Sequence, residues 1–408
     1  MKIRLYDLFI DIIIIIGVGI PLVFGWTLDT WRTILTIITL IFLVVYVVTH
    51  GIKKNISNRF LWSYLALLIG ILIFETVRSI KLYDYSPYET FYALRQYVWL
   101  LFSIPLFCEL LKAKNYDKYI KKFVTITLIS LIIRTFTWFF NNYIRIGIFY
   151  NLAHEYGNSW GRSGKLRIDA TALIGILIPM LYYLYKKYNN KKYLGYLVFS
   201  FGYVLLVSQT RTLVIGVMAC IISMIFFEKR SLSKKLIIQL GIFGVLLILL
   251  NLGIFDSIMA KMNLSLNDGS IGYRQYEFYY YSSLLTDSKW IAGLGILSSI
   301  NVNAERILFG DLSTQMYVDD LGAFEFILQF GVFGILLYLV LIVYIIYLVF
   351  KCNKLGEYMY AVYLIGQLFY ICIVSMSLNL FGIQRIFSLS FILAVTCSID
   401  NKLKIQIK

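Results

Sequence analysis

Apolar runs of about twenty residues, broken by short polar stretches, recur along almost the whole chain. Runs of that length predict helices that cross a bilayer, since each crossing needs about 20 mostly apolar residues. Twelve are expected, at 8–24, 31–50, 60–77, 92–111, 123–141, 169–185, 193–209, 212–227, 236–255, 321–350, 358–379 and 386–399. The run 321–350 is too long for one straight crossing. A short outer helix at 321–330, a turn near Gly331 and Gly334, and then the span are expected there. Only the segment 256–320 is long and neither apolar nor a short turn. The pattern therefore predicts an all-α, polytopic integral membrane protein. About 12 transmembrane helices would form one membrane domain over 1–408, with a long extracytoplasmic loop, 256–320, before the tenth.

Composition agrees. The 408 residues are 60% hydrophobic and 15% charged, with a mean hydropathy of +0.77, too much apolar surface for a soluble domain to hide. The N-terminus and the alternate loops at 51–59, 112–122, 186–192, 228–235, 351–357 and 400–408 carry 23 of the 38 Lys and Arg residues. By the positive-inside rule both ends lie in the cytoplasm. Seven acids fall on the inner side and fifteen on the outer, so the net charge of +16 is wholly internal. The basic balance is topogenic and gives no ground for nucleic-acid binding. The inner side uses 20 Lys and 3 Arg, the outer side 4 Lys and 11 Arg. Either residue satisfies topology, but only the planar guanidinium grips phosphate or carboxylate through two bonds. An anionic ligand is expected outside.

The opening MKIR and apolar run has the look of a signal peptide, but Asp7 and Asp11 and the absence of a small-x-small site predict an uncleaved first span. All five cysteines (Cys108, Cys220, Cys352, Cys372, Cys397) fall in spans or at the inner face, so no outer disulfide is expected. His50 and His154 lie on opposite sides, and no protein-built metal site is expected.

Candidate chemistry clusters outside. Pro21 and Pro105 should kink their spans, and Glu75, Arg78 and Arg95 read as an interfacial ion pair and a snorkelling arginine. Arg134 sits beyond the midplane of its span, where it must face protein, water or ligand; a structural partner and a ligand-binding role are both open. The loop 142–168 holds Arg145, His154, Arg162, Lys165 and Arg167, and GRSGKLRID places three cations where a helix is expected to begin, a setting that favours an anion. SQTRT, 208–212, joins two spans by a short outer hairpin that pins Arg211. YRQYEFYYYSSLL, 273–285, fits an amphipathic surface helix with Arg274, Glu277 and Tyr281 on one face. WIAGLG, 290–295, reads as a tight turn, and Asp319 and Asp320 as either a solvated helix start or proton acceptors. No Walker, dinucleotide or hydrolase-elbow motif appears.

Four pieces, GRSGKLRIDATALIGILIP, SQTRTLVIG, Arg274 with WIAGLG, and DLGAFEFILQFGVFGILLYL, together resemble the bacterial O-antigen ligase and Wzy-type repeat-unit polymerase superfamily over roughly 160–345. The resemblance matches Arg162, Arg211 and Arg274 to that superfamily's arginines. Asp320 and Gln329 stand where ligases usually have His and Glu, which points to the polymerase branch. It implies a metal-independent glycosyltransferase of the bacterial cytoplasmic membrane, with no cofactor. Such an enzyme would join undecaprenyl-pyrophosphate-linked oligosaccharides at the outer face, among membrane lipids, with a chain-length regulator and a flippase as partners. On this reading Asp320, Asp319, Arg211 and Arg274 are catalytic, while Arg162, Lys165, Arg167, Arg134, Glu277 and Tyr281 bind substrate. A lipid-linked oligosaccharide flippase and an O-antigen ligase are the alternatives, and a solute transporter is disfavoured by the lack of an internal repeat.

Overall fold

The computed structural model describes residues 5–50, 58–112, 115–155, 161–162, 164–228, 269–286, 289–309 and 318–407. The expected span 236–255, and the loop parts 256–268 and 310–317, lie outside them. Thirteen of the described helices are used below and are numbered in chain order: α1 Leu5–Gly17, α2 Leu28–His50, α3 Arg59–Tyr83, α4 Pro87–Leu111, α5 Tyr116–Ile144, α6 Ile174–Tyr188, α7 Lys191–Tyr203, α8 Arg211–Phe227, α9 Gly269–Leu284, α10 Ala323–Phe330, α11 Val332–Lys354, α12 Tyr358–Val374 and α13 Ile386–Ile407. Among the described residues, α2, α3, α4, α5, α11 and α13 are long and apolar enough to cross a membrane, and α8 and α12 are shorter apolar helices. The chain is a multi-pass helical membrane protein.

Two expected spans come out shorter and a third changes its helix type. α1 stops at Gly17; Gly19, at φ 77°, then turns the chain into a single 3₁₀ stretch containing Pro21. α6 starts only at Ile174, and α7 is prolonged by one π turn, Val204–Ser208. Pro105 does perturb its helix: α4 tightens to 3₁₀ over Arg95–Phe102 just before it, where the missing proline N–H frees a carbonyl. The 321–350 run divides as its length requires. α10 ends at Phe330, Gly331 turns at φ 57°, and α11 follows.

α13 is the centre of the bundle, with 89% of its apolar window buried against 33% for α11. A helix buried on every side has no polar face to spare, so its hydroxyls bond inward along the helix, Ser390 to the Phe387 carbonyl and Ser398 to that of Val395. α11 instead leaves Leu339, Val343, Tyr347 and Phe350 exposed, a face suited to lipid. α8 and α12 pack closely along their lengths, because Gly216 admits Val374 and Gly366 admits Met224.

The two ends of the bundle are held by different cations. At one, Lys118 meets Asp7, Lys122 meets Asp11, Lys187 meets Asp117, Lys186 meets Glu228, and Lys351 and Lys404 meet Asp400. At the other, the ion pairs among the described residues use arginine: Arg78–Glu75, Arg95–Asp29, Arg134–Glu155 and Arg274–Asp320. The Lys/Arg division seen in the sequence is thus a division between the two ends of one bundle.

Candidate functional site

The arginine-rich end is built in three parts. The deepest is centred on Arg134 of α5, whose side chain is 3% exposed. It bonds the Glu155 carboxylate at 2.8 Å and the carbonyls of Asp169 and Val18 at 3.1 and 3.3 Å. These protein partners supply acceptors to both terminal nitrogens of the guanidinium. Arg32, Glu155, Asp169 and Gln384 line a cavity of about 20 Å³ beside it. Burial raises the pKa of Asp169, against the pull of Arg385. Tyr203 holds the Ile168 and Asp169 carbonyls at 3.0 and 3.1 Å, fixing the approach to α6.

The second part is a backbone strap. Gly293 and Gly295 take φ 72° and 92°, the left-handed region where a Cβ is penalised. The Leu294 and Gly295 N–H groups donate to the Leu328 and Gln329 carbonyls at 2.8 and 3.0 Å. Gly293 lies against the backbone of Gln329 and Gly331, and a Cβ on Gly293 or Gly331 would collide with backbone. From the other side the end of α3 holds the strap. Arg78, paired with Glu75, donates to the Ala292 and Gly293 carbonyls, Ser79 accepts from the Ile296 N–H at 2.8 Å, and Tyr85 donates to the Ile296 carbonyl at 3.0 Å. Arg78 is therefore more than an interfacial residue. Gly293→Ala should cost about 2–4 kcal/mol, whereas Gly164→Ala, at φ 71° with open space around it, should cost about 1 kcal/mol. Thermal unfolding of the two variants in detergent measures the difference.

The third part is the junction of α9 and α10. α9 puts Arg274 at its surface, while Glu277 and Tyr281 are buried. Tyr281 donates to the Leu308 carbonyl at 2.6 Å within a small second core, so it packs the loop and does not face a ligand cleft. Arg274 meets Asp320 at 3.3 Å beside a cleft of about 530 Å³. One wall is aromatic, from Phe278, Tyr279 and Phe324, and another is Ser375, Met376 and Ser377. Thr212 donates to Ser377 at 2.9 Å, which brings the start of α8, and hence Arg211, to the neighbourhood of that wall. Asp319 has a different environment. Its residue surface is exposed; desolvation by the surrounding protein, then the charge of Asp320, raises its pKa, and Arg385 and Arg32 oppose this. Glu325 of α10, 7% exposed, stands well above the carboxylate range because of burial and then Asp319.

Thus Arg134 and Asp319 share one electrostatic neighbourhood through Arg32 and Arg385, and Arg274 and Asp320 share the cleft, with Arg211 near its edge. Lys165 is turned to Tyr143, whose hydroxyl it meets at 2.8 Å, and Arg167 is half-buried. The expectation that GRSGKLRID opens a helix is corrected. Gly161–Arg162 pairs antiparallel with Lys165–Leu166, Asn142 bonds both backbone groups of Leu166, and α6 begins only at Ile174. The cations therefore do not sit on a helix N-terminus. Arg32, Arg385, Glu155, Glu325 and Asn379 were not singled out by sequence reasoning. A lone Glu in the apolar run AFEFILQF was the one available signal. Among the described residues no group of three His, Cys, Asp or Glu is placed to hold a metal ion.

No protein-family model, curated protein or solved structure matches the chain.

Proposed function

We propose that this chain is a polysaccharide repeat-unit polymerase, a glycosyltransferase that joins undecaprenyl-pyrophosphate-linked oligosaccharides at the outer face of a bacterial cytoplasmic membrane. The observation that carries the reading is the half-exposed Arg274–Asp320 pair beside a cleft of about 530 Å³ with an aromatic wall, at the end of the bundle where arginine replaces lysine. That volume lies within the range of small-molecule sites, about 300–1,000 Å³. An exposed ion pair is worth only about 0–1 kcal/mol, so a diphosphate can take over the guanidinium at little cost. Tyr279 and the two phenylalanines offer flat apolar faces to sugar rings.

The chemistry needs little else from the protein. The donor's leaving group is a diphosphate, already a stable anion, and preorganised guanidinium groups stabilise the charge that grows on it as the glycosidic bond breaks. A carboxylate accepts the proton of the attacking sugar hydroxyl. Neither Arg134, whose terminal nitrogens bond protein acceptors, nor Tyr281, buried in the loop core, is assigned contact with substrate on this reading. Purified protein given synthetic lipid-linked repeat units should yield a ladder of products without added metal or nucleotide. Movement of the units between leaflets with no ladder would identify a flippase instead, and transfer only to a lipid A-type acceptor would identify a ligase.

A further inference from the structure

At the lysine end of the bundle, four cations rest on tyrosine rings contributed by four helices. Tyr116 opens α5, Tyr183 and Tyr188 lie near the end of α6, and Tyr193 and Tyr360 lie in the first turns of α7 and α12. Tyr360 meets Tyr116 at 6.3 Å and stacks on Tyr183 at 5.8 Å, and Tyr188 meets Tyr193 at 6.2 Å, centroid to centroid. Over this floor sit Lys402 Nζ, 3.1 Å from the Tyr116 ring centre, Lys121 Nζ, 4.0 Å from that of Tyr188, and Lys192 Nζ, 5.1 Å from that of Tyr193. Lys187 bridges the two groups of rings, 5.6 Å from Tyr183 and 5.7 Å from Tyr188. Asp117 accepts from Lys187 through both oxygens at 2.7 Å and from the Tyr188 hydroxyl at 2.8 Å, so this carboxylate is already committed. Lys121, Lys192 and Lys402 join no ion pair among the described residues.

A carboxylate partner would order a lysine side chain and cancel its charge. An aromatic face orders the ammonium while leaving its charge and its remaining N–H donors for another ligand. We propose that this tyrosine floor binds the phosphodiester headgroup of an acidic phospholipid, in the leaflet that the positive-inside rule makes cytoplasmic. The placement favours a lipid over an acidic protein. Lys121 and Lys402 lie near the ends of the membrane-crossing helices α5 and α13, among tyrosines, the residues that settle at a membrane–water interface. Beyond Lys192, α7 leaves Leu194 and Val198 exposed one turn apart on one face, and a Cβ on Gly195 between them would meet nothing within 4 Å. That face offers an apolar wall to the acyl chains of a lipid whose phosphate the lysines hold. Lysine binds phosphate as a point charge, without the fixed fork of arginine, so the two ends of the bundle differ in the way they hold an anion. The site does not depend on the polymerase reading.

Native mass spectrometry of the full chain, purified in detergent with equal amounts of phosphatidylglycerol and phosphatidylcholine, tests the site. Phosphatidylglycerol should be retained in preference. Lys121→Gln and Lys402→Gln should each weaken its retention about fivefold, the share of one cation at an anionic headgroup. Lys354→Gln removes an equal charge from the exposed end of α11, away from the tyrosine floor, and should leave retention unchanged. Tyr188→Leu removes a ring and no charge, and should weaken retention because Lys121 loses its support. Lys121 is exposed, so its variant keeps the test open should Lys402→Gln fail to fold, and matching elution profiles show which variants are folded. Inorganic phosphate in excess should leave the lipid bound, since the acyl chains add a hold that phosphate lacks. Equal retention of the two lipids, an equal loss in Lys354→Gln, or displacement by inorganic phosphate overturns the proposal. Binding of polyglutamate without any preference for phosphatidylglycerol would make the surface a protein-docking site and overturns it as well.

Discussion

Arg274→Ala is expected to end the production of long chains while the amount of protein in the membrane stays the same. Its ion pair with Asp320 has both side chains more than a third exposed, so its loss costs at most about 1 kcal/mol of stability. The loss in rate should be about 10²–10³-fold, the range seen when one preorganised donor is taken from a developing anion. Arg211→Ala should behave similarly, since the Thr212–Ser377 contact holds the start of α8 near the wall of the same cleft. Arg274→Lys keeps the charge but loses the planar fork, so an intermediate rate is expected. Gel analysis of the surface polysaccharide, beside an immunoblot of the protein, reads both quantities. Undiminished chain length in both alanine variants would place the reaction elsewhere. Single repeat units left on the cell surface would fit a polymerase, whereas units trapped inside would fit a flippase.

Glu155→Ala is expected to be the most destabilising single change at the arginine-rich end. Glu155 and Arg134 are 8% and 3% exposed, and removing one partner of a buried ion pair costs about 3–5 kcal/mol because the other charge stays buried without it. Glu155→Gln, which keeps an acceptor oxygen, should cost clearly less. Arg134→Met removes the charge itself and should be milder than Glu155→Ala, an order that a purely catalytic role for Arg134 would not produce. Unfolding by sodium dodecyl sulfate in mixed micelles gives the three values. Equal stability of Glu155→Ala and the wild type would sink this account.

The frame of this molecule could be read from local pattern. The split of 321–350 at Gly331, the short hairpin before Arg211, the helix carrying Arg274, Glu277 and Tyr281 and the tight turn at WIAGLG each depend on residues within a few positions of one another. What escaped depends on distance along the chain. Glu325 meets Asn379 across 54 positions, and Arg134 meets Glu155 across 21 and the Val18 carbonyl across 116. No periodicity encodes such pairings. Arg32 escaped for a different reason: a cation at the start of an apolar run looks the same whether it snorkels to the interface or faces a carboxylate. The mistaken helix start at GRSGKLRID came from the apolar residues after it. Asn142 ties the backbone of Leu166 into a hairpin, and the sequence near Leu166 does not show a partner 24 positions away.

The strap at Gly293 and the bend at Gly331 meet through main-chain atoms. A joint of that kind asks for two residues without side chains and is nearly indifferent to what their neighbours carry. Residues around the cleft are therefore free to change size, charge and shape without loosening the scaffold that presents them. The joint separates the part that holds the cleft open from the side chains that line it.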